Sequence, residues 1–250
     1  MPNIEEQLHP VTNGLGAYSK VKISRTTVKH GRYESHEYRV EDGPPLSGVT
    51  RITKYCEGDK FGVGQGFAIS EIGKAGGDLK APGRVSDESR EVGNQLHRSI
   101  DIYITDKIVD EGDDLFMSWF RNFGSHDWLT SERFIYHPKG FGGTIDAIAR
   151  EDDGTIAIYD WKTRKRETYE KHGPYDGERA QISAYAKALQ AMGSEYAPTK
   201  AFIVYVMRDG SYAERVEVDI EKYWKLFRAA KIVADVSDKI NAKPKKGVKG

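Results

Sequence analysis

Two short apolar runs joined by an acidic turn constrain this chain more than any other feature. Residues 142–150 read Gly-Gly-Thr-Ile-Asp-Ala-Ile-Ala-Arg, and residues 154–163 read Gly-Thr-Ile-Ala-Ile-Tyr-Asp-Trp-Lys-Thr, with Glu151-Asp152-Asp153 between them. An Asp-Gly step between alternating apolar runs is a strong hairpin signal, because both residues accept the backbone dihedrals of a tight turn. Side chains alternate across a strand, so Asp160 and Lys162 share one face. Asp146 lies near the middle of the first run, which the hairpin lays alongside. Two carboxylates and an ammonium group therefore converge on one patch. Ile145, Ala147 and Ile148 surround Asp146, and Ile156, Ala157 and Ile158 lead into Asp160. Strands this apolar are buried on both faces or nearly so. Carboxylates within them are costly to desolvate unless paired or metal-bound. Paired carboxylates suit a hard divalent cation such as Mg²⁺, which takes oxygen ligands and keeps several waters. A lysine beside them orients or deprotonates a water and offsets charge building on a phosphate. The hairpin alone leaves two other readings open. One is an ordinary charged surface; the other is a salt bridge from Asp146 and Asp160 to Lys162 with no ion.

The remainder of the chain narrows the class. Its 250 residues suffice for one large domain or one domain with extensions, and 38% hydrophobic with 30% charged residues describes a soluble globular protein. No apolar run approaches the roughly 20 residues that span a bilayer, so no membrane partner is expected. The start, Met-Pro-Asn-Ile-Glu-Glu, lacks a basic-then-apolar leader. Cys56 is the single cysteine, which excludes an intrachain disulfide and a four-cysteine zinc or iron–sulfur site. A reducing cytoplasmic location is expected. The formal net charge is +0, so global charge does not advertise nucleic acid. Local charge does so at Lys162, Arg164, Lys165 and Arg166, and at Lys243, Lys245, Lys246 and Lys249. The second of these runs also reads as a solvated end.

Residues 1–18 read as an irregular arm, and 20–40 as a β-hairpin interrupted at His30-Gly31. Lys20, Lys29, Arg32 and Tyr33 fit a DNA clamp, a dimer contact or decoration. After Gly43-Pro44-Pro45 a helix is expected from Ser47 to Tyr55 with Ser47 as its cap, and a second from Phe61 to Ile72. Residues 73–85 read as a loop. Ser86-Asp87-Glu88 starts a helix running to about Val109, with apolar residues at helical spacing and His97 beside that stripe. Asp113–Phe123 is a helix whose aromatic face, including Trp119, reads as core, or as a platform for stacking bases. Glu132–His137 is a strand, 166–177 a polar loop that also suits threading a nucleic-acid strand, Glu178–Met192 an amphipathic helix, Ala201–Met207 a buried strand and Tyr212–Val218 an edge strand. A closing helix spans Glu221 to about Ile240. The expected division is 1–46 for the arm and hairpin, 47–242 for one α/β core and 243–250 for the basic tail.

Four short motifs in a fixed order carry a resemblance. Gly93-Asn94-Gln95-Leu96-His97 is followed by Gly143-Thr144-Ile145-Asp146, then Asp160-Trp161-Lys162, then Gln181-Ile182-Ser183-Ala184-Tyr185. Each motif is common by itself. In this order, with fourteen residues from Asp146 to Asp160 spanning one hairpin, they resemble the PD-(D/E)XK nuclease superfamily, in its RecB-type exonuclease branch. Ser47-Gly48-Val49-Thr50 resembles that branch's opening, with an extra glycine. The resemblance implies a restriction-endonuclease-like fold: a mixed central β-sheet flanked by helices, here with an N-terminal β-hairpin extension. With one cysteine, the chain resembles the members without an iron–sulfur cluster.

The resemblance also implies a chemistry. Asp146 and Asp160 would ligate Mg²⁺, with Mn²⁺ as a substitute, and the Trp161 carbonyl would add an oxygen. His97 would be a further ligand, with Glu132 as the alternative. Lys162 would position the attacking water or stabilise the developing charge. Gln181 would hold the phosphate or the attacking region, and Tyr185 would pack beneath it or touch the strand. Thr163 and Arg164 would meet the DNA backbone. Gly143 would permit close approach of that backbone, or would mark a β-bulge. His97, Gln181 and Tyr185 also read as plain packing. The implied activity is a metal-dependent DNA exonuclease on single-stranded or end-bearing DNA, acting alone or with a single-strand-binding or recombination protein. A structure-specific or nicking endonuclease, and an inactive nucleic-acid-binding protein, are the alternatives.

Overall fold

The structure, a computed structural model, describes residues 3–12, 18–30, 33–57 and 63–241. Its centre is a six-stranded mixed sheet. The strands are β4 (Ser47–Gly48), β5 (Asp127–His137), β6 (Phe141–Arg150), β7 (Ile156–Arg164), β8 (Lys200–Met207) and β9 (Ala213–Glu217), in the order β4-β6-β7-β8-β9, with β5 on the other edge of β6. β5, β6 and β7 run antiparallel as a meander, whereas β7 and β8 are parallel. A parallel pair needs a crossover, and α5 (Arg166–His172) and α6 (Asp176–Ala191) supply it.

Strands covered on both sides read as continuous apolar runs, and β8 shows why. Ala201, Ile203, Tyr205 and Met207 join one core with α1 (Val49–Thr53), α6 and α7 (Ile220–Asn241). Phe202, Val204 and Val206 join a second core with α3 (Ala81–Asp106) and α4 (Asp114–Phe123). β7 divides the same way, with Ile158 in the first core and Ala157, Tyr159 and Trp161 in the second. Asp160 and Lys162, in phase with Ile158, therefore belong to the α6 side.

The N-terminal extension is a second sheet of three antiparallel strands, β1 (Ile4–Thr12), β2 (Tyr18–His30) and β3 (Tyr33–Val40). It is not a free ribbon. Ile23 of β2 and Tyr38 of β3 are buried in the first core, and Tyr38 bridges to Leu46 ahead of β4.

The structure departs from the sequence expectations where local signals were weak. The predicted arm is strand β1: its polar alternation hides it, and Pro10 is tolerated because β1 is an edge strand. The predicted helix at Ser47 begins later, since Ser47-Gly48 pairs in parallel with β6 and Gly48 is the helix N-cap, without a side-chain capping bond. α3 starts at Ala81 inside the predicted loop, with Pro82 in the first turn where its missing N–H costs nothing. It ends at Asp106, where Lys107 turns left-handed with φ 59°. β5 is longer than predicted, because its pairing with β6 runs on past an irregularity at Leu129. The predicted loop 166–177 contains α5 and the start of α6, so it is no threading loop. Trp119 is fully buried, and its ring packs edge-on to Trp161 and tilted against Trp128. The α4 stripe is therefore core, and the stacking-platform reading is withdrawn. The basic tail, Arg32, and the side chains of Lys29 and Tyr33 lie outside the described residues. α7 is the closing helix, and α2 (Val63–Lys74) runs two residues beyond the expected Ile72.

Candidate active site

The site forms where β7 leaves β6. Their pairing runs from Arg150–Ile156 to Ala147–Tyr159 and stops one step short of Asp146 and Asp160. Further along, β4 takes the same edge of β6 at Phe141 and Gly142. Residues 143–146 thus face an opening in the sheet. The Asp146 carboxylate reaches across it and accepts the Trp161 N–H at 2.7 Å. That bond replaces the strand partner the Trp161 backbone has lost.

Three side chains from three elements meet at this opening. His97 of α3, Glu132 of β5 and Asp146 of β6 place one potential ligand atom each within 4.8 Å of the others. The His97 Nε2 lies 3.0 Å from the Trp161 carbonyl oxygen. A carbonyl only accepts, so Nε2 donates there and Nδ1 is the ring nitrogen left facing the opening. Nδ1 lies 3.6 Å from the Asp146 Oδ2. A proton on Nδ1 or a cation shared between the two atoms would each satisfy that pair. Glu132 is pushed up to about 8, first by burial and then by the charges of Asp146 and Asp101, with Arg25 opposing. A carboxyl crowded by carboxylates is a group that a divalent cation would return to its charged form.

Asp160 is 1% exposed and pairs with Lys162, and among the described residues neither of its oxygens has any other hydrogen-bond partner. Burial raises its affinity for a proton to about 7; Lys162 opposes this and Asp146 adds to it. Burial by itself would lower Lys162, but the carboxylates of Asp160, Asp146 and Glu178 outweigh it and hold the ammonium charged. The carboxylate of Asp160 is thus occupied by Lys162 and stands outside the three-way cluster of His97, Glu132 and Asp146.

The remaining expected residues have definite places. The Gln181 amide donates to the Tyr185 hydroxyl at 3.0 Å, and both line the groove in front of the cluster. Tyr185 also explains Gly143. A Cβ there would stand 2.7 Å from the Tyr185 ring, while β5–β6 pairing passes regularly through Gly143. The glycine thus makes room for a tyrosine ring, and no bulge occurs there. Arg164 is engaged in the protein: it pairs with Glu178 and lies over the Tyr175 ring at 4.6 Å. Glu178 in turn accepts from the Tyr205 hydroxyl at 2.8 Å. Thr163 is half-buried and sits across from Gly93 of α3, whose Cβ would lie 3.8 Å from its hydroxyl.

A groove of about 1170 Å³ runs over the cluster. The N-terminal sheet forms one wall with Gln7, Arg25 and Tyr38, facing Asn94, His97 and Arg98 of α3. Arg25 pairs with Glu5, lies 3.9 Å from Glu132, donates to the Thr144 hydroxyl at 3.3 Å and covers the Phe134 ring. Sequence reasoning missed Arg25 and Gln7. Arg25 did leave a signal: it is in phase with Val21 and Ile23, the inward face of β2, where an arginine needs a buried partner. Gln7 left none, because its partners lie on β5, more than a hundred residues away.

A mixed sheet parts between two acidic strands, with an imidazole and carboxylates at the gap and a lysine beside them. The donor set fits a divalent cation: carboxylates and an imidazole converge, and among the described residues a buried carboxylate has one ammonium as its partner. The sequence profile of the PD-(D/E)XK nuclease superfamily matches residues 84–246, and the chain belongs to that superfamily. Membership points to metal-dependent cleavage of nucleic acid. No curated protein matches the chain. Among solved structures, the crystal structure of SSO0001 is similar at 18% identity over 74% of this chain and 75% of that one, with a TM-score of 0.36. Among the described residues no helix is long and apolar enough to cross a membrane.

Proposed function

We propose that this protein is a divalent-metal-dependent DNA exonuclease that acts on single-stranded or end-bearing DNA. The observation that carries the reading is the meeting of His97, Glu132 and Asp146 beside the buried Asp160–Lys162 pair, at the floor of a walled groove. In this reading residues 47–242 are the nuclease domain. Asp146, Asp160, His97 and Glu132 hold Mg²⁺ or Mn²⁺, and the Trp161 carbonyl offers its second lone pair. When bound, such an ion supplies a Lewis acid for the scissile phosphate and a water of lowered pKa.

The chain's own residues do the rest. His97 keeps its Nδ1 lone pair aimed at the site because Nε2–H is fixed on the Trp161 carbonyl. Asp146, held by the Trp161 N–H, cannot turn away. Lys162 stays charged beside Asp160, and its ammonium is the group that would hold the attacking water or the phosphate oxygens. Gln181 offers its amide from the groove wall, oriented by Tyr185. Thr163 and Arg164 stand further along β7; the engagement of Arg164 with Glu178 favours a supporting role over direct contact with DNA.

End-labelled linear DNA and closed circular single-stranded DNA, incubated with Mg²⁺ or Mn²⁺, test this function. Mononucleotides or short products from linear molecules alone are expected. Circles cut as fast as linear molecules would establish an endonuclease instead. Intact substrates under both metals would remove the activity altogether.

A further inference from the structure

β5 is an edge strand, and at Glu132 its backbone adopts φ 46°, a left-handed conformation that a glutamate rarely takes. Such a conformation persists only where the surroundings over-determine it. Here the surroundings include a residue from the N-terminal sheet. Gln7 of β1 donates its amide N–H to the Glu132 carbonyl at 2.9 Å, and its amide oxygen accepts the Phe134 N–H at 2.8 Å. One side chain thus occupies the outward donor and acceptor of β5 on either side of Arg133, as a neighbouring strand would. Arg25 of β2, 3.9 Å from the Glu132 carboxylate, restrains the other end of the same residue. The family match begins at residue 84, so neither group lies in the matched region.

We propose that Gln7 is a positioning residue of the metal centre. By holding the Glu132 backbone left-handed it aims the Glu132 carboxylate at His97 and Asp146, which makes the N-terminal sheet a working part of the site. The inference rests on the metal-centre reading above. Without the Gln7 amide, the Glu132 carbonyl and the Phe134 N–H lose their protein partners. The backbone then relaxes toward ordinary extended geometry, which turns the carboxylate away from the other two ligands.

Mn²⁺ binding to the full chain, followed by the loss of the free-ion electron paramagnetic resonance signal, tests it. Gln7→Ala, and Gln7→Met as a variant that keeps the stem, are expected to weaken Mn²⁺ roughly tenfold. Glu132→Gln is expected to weaken it at least as much. Adding Gln7→Ala to Glu132→Gln is expected to change it no further, because both act through one carboxylate. Wild-type affinity in both Gln7 variants would overturn the proposal. So would a further loss in the double variant, or failure of both Gln7 variants to fold, since either would make the role general rather than directed at Glu132. A wild-type protein that leaves the Mn²⁺ signal untouched would instead sink the metal-centre reading, and the proposal with it.

Discussion

At the scale of single residues, the site is a problem of buried charge. Among the described residues Lys162 is the one partner of the Asp160 carboxylate, so Lys162→Ala leaves a buried acid without its neutralising cation. Two effects are expected together. Turnover falls at least about 10²–10³-fold, the size of loss seen when a group that stabilises developing charge is removed. The metal-free protein melts at a lower temperature, and Mn²⁺ restores much of the difference. Nuclease assays and thermal melts with and without metal check both. Single-residue reasoning from the sequence placed Asp160 and Lys162 on one face, and they are. The salt bridge left open at that stage is present between Asp160 and Lys162, while Asp146 instead accepts the Trp161 N–H. His97 makes a second prediction. An imidazole favours Mn²⁺ over Mg²⁺ more than oxygen ligands do. His97→Ala is therefore expected to weaken Mn²⁺ more than Mg²⁺ and to narrow the difference between them, as measured by metal titration of activity or by calorimetry.

At the scale of elements, α6 and β6 fit through a missing side chain. Gly143→Ala places a methyl 2.7 Å from the ring of Tyr185, which is buried between α6 and β6. Either β6 or α6 must move. A loss of about 1–3 kcal/mol is expected, read as a lower midpoint in urea, with reduced nuclease activity because Gln181 is oriented through Tyr185. The sequence showed a glycine before the acidic strand and a tyrosine four residues after Gln181. It could not show that each explains the other, since helix and strand are forty residues apart. The same limit applies to β1. A polar strand whose one fully buried side chain among the described residues is His9 carries almost no periodic signal, and only its pairing with β2 reveals it. By contrast α4 was legible to within one residue: expected from Asp113, it begins at Asp114, with Asp113 as its cap accepting the Leu115 and Phe116 N–H groups, and its apolar spacing follows the buried face.

At the scale of the whole molecule, the N-terminal sheet and the nuclease core form one packed body, and acid should expose their seam. His9 of β1 is 1% exposed, and among the described residues neither ring nitrogen has a hydrogen-bond partner. Burial, with the charge of Arg133 adding to it, lowers its pKa to about 4, from an ordinary value near 6.5. The unfolded chain therefore binds a proton between about pH 6.5 and 4 that the folded chain refuses. Stability from this group is complete above pH 6.5 and is lost as pH falls toward 4. His137, lowered to about 4 by burial and by Lys139, acts in the same direction. Each contributes no more than about 3 kcal/mol. His9→Phe is expected to flatten the fall in melting temperature across that range, and an unchanged pH profile would show that His9 is not the group responsible. What the sequence determined by itself was local: the hairpin with Asp160 and Lys162 in phase, the aromatic helix, the buried strands and the order of the motifs. Periodicity and turn chemistry are carried by neighbours in the chain, so they are readable there. Only the tertiary structure decided that β7 parts from β6 one residue before the acids pair. It also decided that Glu132 and His97 lie together beside Asp146, and that Gln7 and Arg25 reach this cluster from outside the matched region. Those outcomes depend on which surfaces are left to be covered once the sheet has closed, and no local pattern encodes them.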